Sequence, residues 1–249
     1  MIKVAVSGAA GRMGRLIVGA VDDASDLEIA GLYAPGHDGE IAAGHTVSGD
    51  PDVCANADVV IESTVPGVVL ANLERWSGFG CHVVVGTSGV PAGDVESVWP
   101  DDLGCLIVPN FSVGAVLMMR FAELAAPYFR AAELIELHHD EKLDAPSGTA
   151  TATAERIGAA NPAQTRRKES EEKVRGVRGG DVAGVPVHSV RLPGLLAHQE
   201  VMFGNLGEIL TIRHDSTDRA SFMPGVIAAV RHVRGLSGVH VGLESALGL

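Results

Sequence analysis

The stretch ELIELHHDEKLDAPSGTA (133–150) gathers two histidines, a lysine and a helix-start turn within a few residues. Read as a strand at its start, it alternates its side chains. Glu133, Ile135, Leu137 and His139 share one face; Leu134, Glu136 and His138 share the other. Adjacent strand histidines point apart, which argues against a zinc pair, and no metal site is expected. At the strand end the chain can curl, so that both imidazoles line one cleft. Lys142 adds a fixed cation. Pro146-Ser147-Gly148-Thr149 then leads into TATAERIGAA, where Ser147 or Thr149 can cap a helix and Pro146 constrains the entry. The amides of Gly148 and Thr149, with the two hydroxyls, make an anion site at a helix N-terminus. A lysine and a second anion grip suit a substrate with one or two carboxylates, and a histidine can supply a proton near neutral pH. The plainer alternative is a capped helix beside surface histidines.

A second stretch supplies the other half of a reaction. GAAGRMG (Gly8–Gly14) follows the apolar run KVAVS and opens the helical pattern RLIVGAVDDA, the context that a dinucleotide loop needs. Its glycines let the backbone approach a pyrophosphate, and the helix N-terminus offers N–H donors and a favourable dipole. Gly8, Ala9, Ala10, Gly11, Arg12 and Met13 are therefore cofactor-binding candidates. The spacing is GxxGxxG rather than the commoner GxGxxG; a plain glycine-rich turn is the bland alternative. An acidic residue about 20 residues on, at the end of the second strand, favours NADH by binding the ribose 2′-OH. Here that position is Tyr33. With no carboxylate there, a 2′-phosphate meets no repulsion, and Arg12 can pair with it. NADPH is favoured; NADH stays open, because Tyr33 can stack on or hydrogen-bond to the adenosine.

These residues need elements to position them. Through the first hundred residues, continuous Val/Ile runs alternate with helical patterns: KVAVS, LEIAGLY, ADVVIEST, CHVVVGTSG and CLIVPN. Such runs predict a parallel sheet covered on both faces, the doubly wound nucleotide-binding architecture. From Ser112 the pattern changes. A helical segment (112–129), the strand ELIELHH, a helix (151–160) and three strands in VPVHSVRLPG, HQEVMFG and EILTIRHDS predict an α+β unit with an open mixed or antiparallel sheet. The polar segment NPAQTRRKESEEKVRGVRGG (161–180) reads as a mobile loop. A last helix near 219–233 could return to the first unit. The expected division is 1–109 with 217–249 as the dinucleotide-binding domain, and 110–216 as the substrate-binding and oligomerisation domain.

Composition narrows the function classes. The chain has 249 residues, 46% hydrophobic, with 19 basic against 31 acidic residues and a formal net charge of −12. No basic stripe supports nucleic-acid binding. No apolar run reaches the roughly 18 residues of a membrane span, and the start MIKVAVSG lacks a signal-peptide pattern. The three cysteines, Cys54, Cys81 and Cys105, form no CxxC and read as buried thiols in a reducing cytosol.

ELIELHHDEKLDAPSGTA resembles the signature of the 4-hydroxy-tetrahydrodipicolinate reductase (dihydrodipicolinate reductase) family. GAAGRMG, VVGTSG (Val84–Gly89), VPNFSVGAVL (Val108–Leu117), GVPVHSVRLPGLLAHQEVMFG and LTIRHDS extend the resemblance over essentially the full chain. It implies a cytoplasmic, two-domain NAD(P)H-dependent reductase of lysine and diaminopimelate biosynthesis. It also implies a homotetramer built through substrate-domain sheets. Gly8 to Met13 would hold the pyrophosphate, and Gly86, Thr87, Ser88, Val108, Pro109, Asn110 and Phe111 would lie along the cofactor. His138 would donate the proton and His139 would bind substrate. Lys142 would bind a carboxylate or donate the proton, and Gly148 and Thr149 would hold a substrate carboxylate beside Ser147. The substrate would be a small cyclic imine dicarboxylate. The family pattern is broken at Tyr33, at Glu62-Ser63-Thr64 (usually Asp-Phe-Thr) and at Ser88 (usually Thr). These departures leave two other readings: a paralogue reducing a related cyclic imine, and a non-catalytic nucleotide-binding sensor.

Overall fold

A computed structural model describes residues 1–162 and 171–249. Residues 163–170, within the segment read as a loop, lie outside the described residues. In chain order the elements are β1 (Ile2–Ser7), α1 (Arg12–Asp22), β2 (Leu27–Tyr33), β3 (Ile41–Ala42), β4 (His45–Thr46), β5 (Val59–Glu62), α2 (Pro66–Gly78), β6 (His82–Val85), α3 (Ala92–Glu96) and β7 (Gly104–Ile107). There follow α4 (Val113–Ala125), β8 (Ala131–His138), α5 (Gly148–Ala160), β9 (Gly180–Val182), β10 (Val185–Arg191), β11 (Ala197–Asn205), β12 (Glu208–Ser216), α6 (Met223–Val233) and β13 (Gly238–Val241). The chain divides into two compact units, Met1–Val113 with Arg219–Leu249, and Gly114–Asp218.

The first unit is built on a six-stranded parallel sheet of order β13-β7-β6-β5-β1-β2. Its inner strands are apolar on both faces, as the continuous runs require. Val59, Val60 and Ile61 of β5 and Val83, Val84 and Val85 of β6 are fully buried. Helix α2 packs Val69, Leu73 and Trp76 into this core; burying each such side chain contributes about 1.5–3 kcal/mol. Helices α1 and α6 pack together, and Asp26 takes a two-pronged bond from Arg231 at 2.7 and 2.9 Å. The short strand β13, which sequence periodicity does not reveal, extends the sheet beyond β7.

The second unit carries a five-stranded mixed sheet of order β12-β11-β8-β10-β9, with β8 and β10 parallel and the other pairs antiparallel. Its core joins Ala122 and Ala126, Leu134 of β8, Ala150, Ala154 and Ile157 of α5, and Val187, Val201 and Phe203 of the neighbouring strands. Along β8, Ala132, Leu134 and Glu136 are buried while the residues between them are partly exposed. The period-2 alternation of the sequence is therefore real, and it turns Glu136 and His138 to the face covered by α5.

Candidate active site

In a parallel sheet all strands end on one edge, and the candidate cofactor residues collect there. The strand order reverses between β1 and β5, which is where open α/β sheets bind ligands. The glycine loop leaves β1 on this edge. Its shape is set by the Tyr33 carbonyl, which accepts the Gly8 and Ala9 amides at 2.8 and 3.2 Å, and by the Gly11 amide bonding to the Gly8 carbonyl at 3.0 Å. Gly8 has φ +85°, and a Cβ there would lie 2.6 Å from the Ser63 carbonyl oxygen. A Cβ on Gly14 would collide with the Gly8 carbonyl. These are places where only glycine fits. The amides of Ala10, Arg12 and Met13 make no bond among the described residues, and the Arg12 side chain is exposed with no partner there. A cradle closed to side chains, with open amides at the start of α1, fits a pyrophosphate.

The other cofactor candidates lie along the same edge. The Gly86 amide donates to the Glu62 carbonyl at 2.9 Å, and Thr87 is buried with its hydroxyl 3.4 Å from the same oxygen. Ser88 is exposed. A Cβ on Gly86 would sit 2.7 Å from the Phe111 ring, so those two residues are in contact. The Val108 amide bonds the Val85 carbonyl at 2.9 Å, Pro109 is exposed, and the Asn110 side chain accepts the Ser112 amide at 2.8 Å.

Tyr33 corrects the sequence reading. The residue is 8% exposed, and its ring packs edge-on against Trp76, with centroids 5.7 Å apart. It belongs to the core and is not open for stacking on an adenosine; what it offers the site is its backbone carbonyl under the glycine loop.

In the second unit, His138 ends β8. Its Nδ1 lies 2.5 Å from Glu136 Oε2, while its Nε2 makes no bond among the described residues. His139 is half-buried; its carbonyl accepts the Lys142 amide at 3.2 Å, and its ring makes no bond among the described residues. Lys142 Nζ is held by both oxygens of Asp144, at 2.7 and 2.9 Å. Ser147 is buried and caps α5, accepting the Ala150 amide at 3.2 Å. The next residue, Gly148, presents an exposed amide with no bond among the described residues. Thr149 follows, with its carbonyl accepting the Thr153 hydroxyl at 2.7 Å. Gln199 Nε2 in turn donates to that hydroxyl at 2.8 Å, bracing the first turn of the helix.

Two residues bonded to this cluster escape sequence reasoning: Glu136, fully buried, and Arg191, on β10. The register sets His138 beside Arg191 and Glu136 beside Ser189 on the neighbouring strand. Arg191 grips Glu136 at 2.8 and 3.0 Å and bonds the carbonyls of Lys142 and Asp144 at 3.3 and 2.6 Å. Burial pushes the Glu136 carboxyl up, but the bonds from His138, Arg191 and Ser189 outweigh it and hold the group at about 2. The only local signal was the polar Glu136 on the buried parity of an otherwise apolar strand.

A doubly wound sheet with a glycine cradle, joined in one chain to an α+β unit carrying an imidazole–carboxylate pair and an anion site, defines a nucleotide-binding oxidoreductase class. Known proteins specify it further. Models of the N-terminal and C-terminal regions of dihydrodipicolinate reductase match residues 2–111 and 114–247. The 4-hydroxy-tetrahydrodipicolinate reductases of Mycobacterium marinum and Cutibacterium acnes are 48% and 47% identical, each alignment covering 100% of both chains. A solved dipicolinate-bound dihydrodipicolinate reductase from Paenisporosarcina sp. TG-14 superimposes with a TM-score of 0.86 at 36% identity, covering 98% of this chain and 99% of that one. An amine dehydrogenase from Mycobacterium smegmatis, at 12% identity and a TM-score of 0.62, shares the fold. The chain belongs to the 4-hydroxy-tetrahydrodipicolinate reductase family.

Proposed function

We propose that the chain reduces 4-hydroxy-tetrahydrodipicolinate to tetrahydrodipicolinate in lysine and diaminopimelate biosynthesis. One NAD(P)H and one proton are consumed, and NAD(P)+ and water are released. A bound reduced nicotinamide supplies the hydride; the residues of this chain do the rest. The observation that carries the reading is His138, whose Nδ1 is fixed on buried Glu136 and whose Nε2, unbonded among the described residues, is left to deliver a proton. Lys142 and the α5 N-terminus at Gly148 and Thr149 are the two grips for an acid substrate, with His139 beside them. Lys142 is held by Asp144 until a substrate carboxylate competes for it. Neither the paralogue nor the sensor reading gains support, since the named relatives match end to end.

The direct test generates the substrate in situ from pyruvate and aspartate semialdehyde and follows the reduced-nicotinamide absorbance. Oxidation is expected; its absence with both NADH and NADPH overturns the reading. His138→Gln is expected to lower kcat about 100-fold or more, the size of a general-acid contribution, with KM changed only a few-fold.

Between the cofactors, NADPH is the better ligand, because exposed Arg12, at the start of α1, has no partner among the described residues. Arg12→Ala is expected to raise the NADPH Kd about tenfold, roughly 1.4 kcal/mol, and leave the NADH value unchanged. Equal losses for both, in a fluorescence titration, contradict this role.

The protein works as a cytoplasmic homotetramer. Leu206 and Ile209, at the turn before and the start of outer strand β12, are 93% and 77% exposed, and an open apolar edge calls for a partner. The three free, buried cysteines suit a reducing compartment, with burial pushing Cys54 and Cys105 up to about 12 and Cys81 to about 11. No described helix is long and apolar enough to cross a membrane. Sedimentation at micromolar concentration should give a tetramer mass.

A further inference from the structure

A guanidinium has five N–H donors, and Arg191 spends all five inside its own unit. Nη1 donates to Glu136 Oε2 at 3.0 Å and to the Val190 carbonyl at 2.8 Å. Nη2 donates to Glu136 Oε1 at 2.8 Å and to the Asp144 carbonyl at 2.6 Å. Nε donates to the Lys142 carbonyl at 3.3 Å. An arginine near an acid-binding site would ordinarily be read as a third grip on the substrate. With every donor committed, Arg191 has nothing left to offer one.

We infer that Arg191 and Glu136 are a buried positioning pair: Glu136 fixes the tautomer and direction of His138, and Arg191 locks Glu136 in place while pinning the backbone of the loop that carries Lys142. The inference rests on the reading of His138 as proton donor and Lys142 as anion grip, and deepens it.

Each part follows from geometry. Glu136 Oε2 lies 2.5 Å from His138 Nδ1, and an ionised carboxylate only accepts. The imidazole therefore keeps its hydrogen on Nδ1 in both protonation states, and the proton that comes and goes sits on Nε2. A glutamate alone could swing. Here both of its oxygens are held by a planar fork, which a lysine cannot reproduce. The same fork reaches the carbonyls of Lys142 and Asp144, so the loop between β8 and α5 is tied to the sheet at the residue that carries the cation. Stability is a poor reason for such a pair, because buried ion pairs can often be replaced by apolar residues without loss. Placement of two groups that act on one substrate is a sufficient one.

The test combines a double variant with a tautomer measurement. Glu136→Leu with Arg191→Met removes both charges and keeps an apolar fit. The variant is expected to fold, to lose about 100-fold in kcat as the general acid loses its orientation, and to show a several-fold rise in KM as the loop is released. Arg191→Lys, which keeps the charge without the fork, is expected to fall nearly as far. In wild-type protein, 15N NMR of the His138 ring, assigned by its loss in His138→Gln, should show the hydrogen on Nδ1 when the ring is neutral. In the double variant it should move towards Nε2.

A folded double variant with unchanged kcat and KM overturns the inference. So does full activity in Arg191→Lys, or an Nε2–H tautomer in the wild type. The NMR measurement needs no substrate, and it still decides the matter if the double variant does not fold. It also separates the two readings: absent turnover in the wild type sinks the proposed reaction, whereas a wrong tautomer sinks only the positioning pair.

Discussion

Among the described residues each unit buries one glutamate completely, and the two are held in opposite ways. Glu62, at the end of β5, meets neutral donors. Asn72 Nδ2 and Trp76 Nε1 reach one oxygen at 3.2 and 3.0 Å, and the Thr64 amide, at 3.3 Å, and hydroxyl reach the other. Glu136, near the end of β8, meets the Arg191 fork and the His138 ring. Glu62 ties the turn after β5 to helix α2, through partners 2, 10 and 14 residues further along the chain. Glu136 ties together groups from two strands, and its partner Arg191 extends the tie to a loop. The first carboxylate shapes the edge on which the glycine loop sits. The second faces a group that must carry a proton. The same residue type serves as scaffold in one unit and as chemical support in the other, and its partners decide which.

The contrast is broken most severely from the Glu136 side. Glu136→Leu alone leaves the Arg191 charge without its anion in a mostly buried position, at a cost of about 3–5 kcal/mol. Adding Arg191→Met should restore most of that loss. Denaturant unfolding of the single and double variants measures it; equal stabilities would mean that the two residues are not coupled.

Acid should separate the same variants. The ordinary value for a glutamate is 4.5, and the folded Glu136 sits at about 2. Between those values the unfolded chain binds about one proton more than the folded one at this site, so stability rises with pH there. The contribution is fully present above pH 4.5 and drains away as pH falls towards 2. The wild type should therefore lose stability more steeply across that window than the Glu136→Leu/Arg191→Met protein. Parallel acid-unfolding curves would show that Glu136 is not held ionised by its partners.

Glu62→Gln should be gentler. The amide keeps one acceptor oxygen but turns an NH2 towards neutral donors, so about 1–3 kcal/mol is lost with the unsatisfied bonds. His138 should keep its Nδ1–H tautomer, and kcat should stay within a few-fold. A collapse of kcat in a folded Glu62→Gln protein would erase the distinction between the two glutamates.

How much of this was legible in sequence follows from the range of each interaction. The parallel sheet shows itself in runs such as VVIE and HVVV, where both faces are buried. The glycine loop shows itself because Gly14 is required by a contact close in sequence, with the Gly8 carbonyl, and Gly8 by its positive φ; the further constraint on Gly8 from Ser63 is long-range. The His138–Lys142–Gly148 constellation was visible because one loop carries it. Arg191 was not. It joins Glu136 across 55 positions through a parallel register that no local pattern encodes. Strand β13 was hidden for a related reason: it is short and partly exposed, and it gains its place only by pairing with β7.

Tyr33 is the smallest test and bears on the scaffold side of the comparison. Its distance from the glycine loop was readable, but the direction of its ring was not, because residues at the end of β2 are buried by elements on both faces. Leu32 is 2% exposed and Tyr33 8%, and the ring meets the same Trp76 whose Nε1 binds Glu62. The Glu62 network and the tyrosine are thus one packed unit beneath the cofactor edge. Its contact with the glycine loop is the Tyr33 carbonyl, which any residue would supply. Tyr33→Phe keeps the ring and the carbonyl and removes only the hydroxyl. The Kd values for NADPH and NADH should each move less than about twofold, under roughly 0.4 kcal/mol. A tenfold loss for either nucleotide would put the phenol on the cofactor and return Tyr33 from scaffold to binding site.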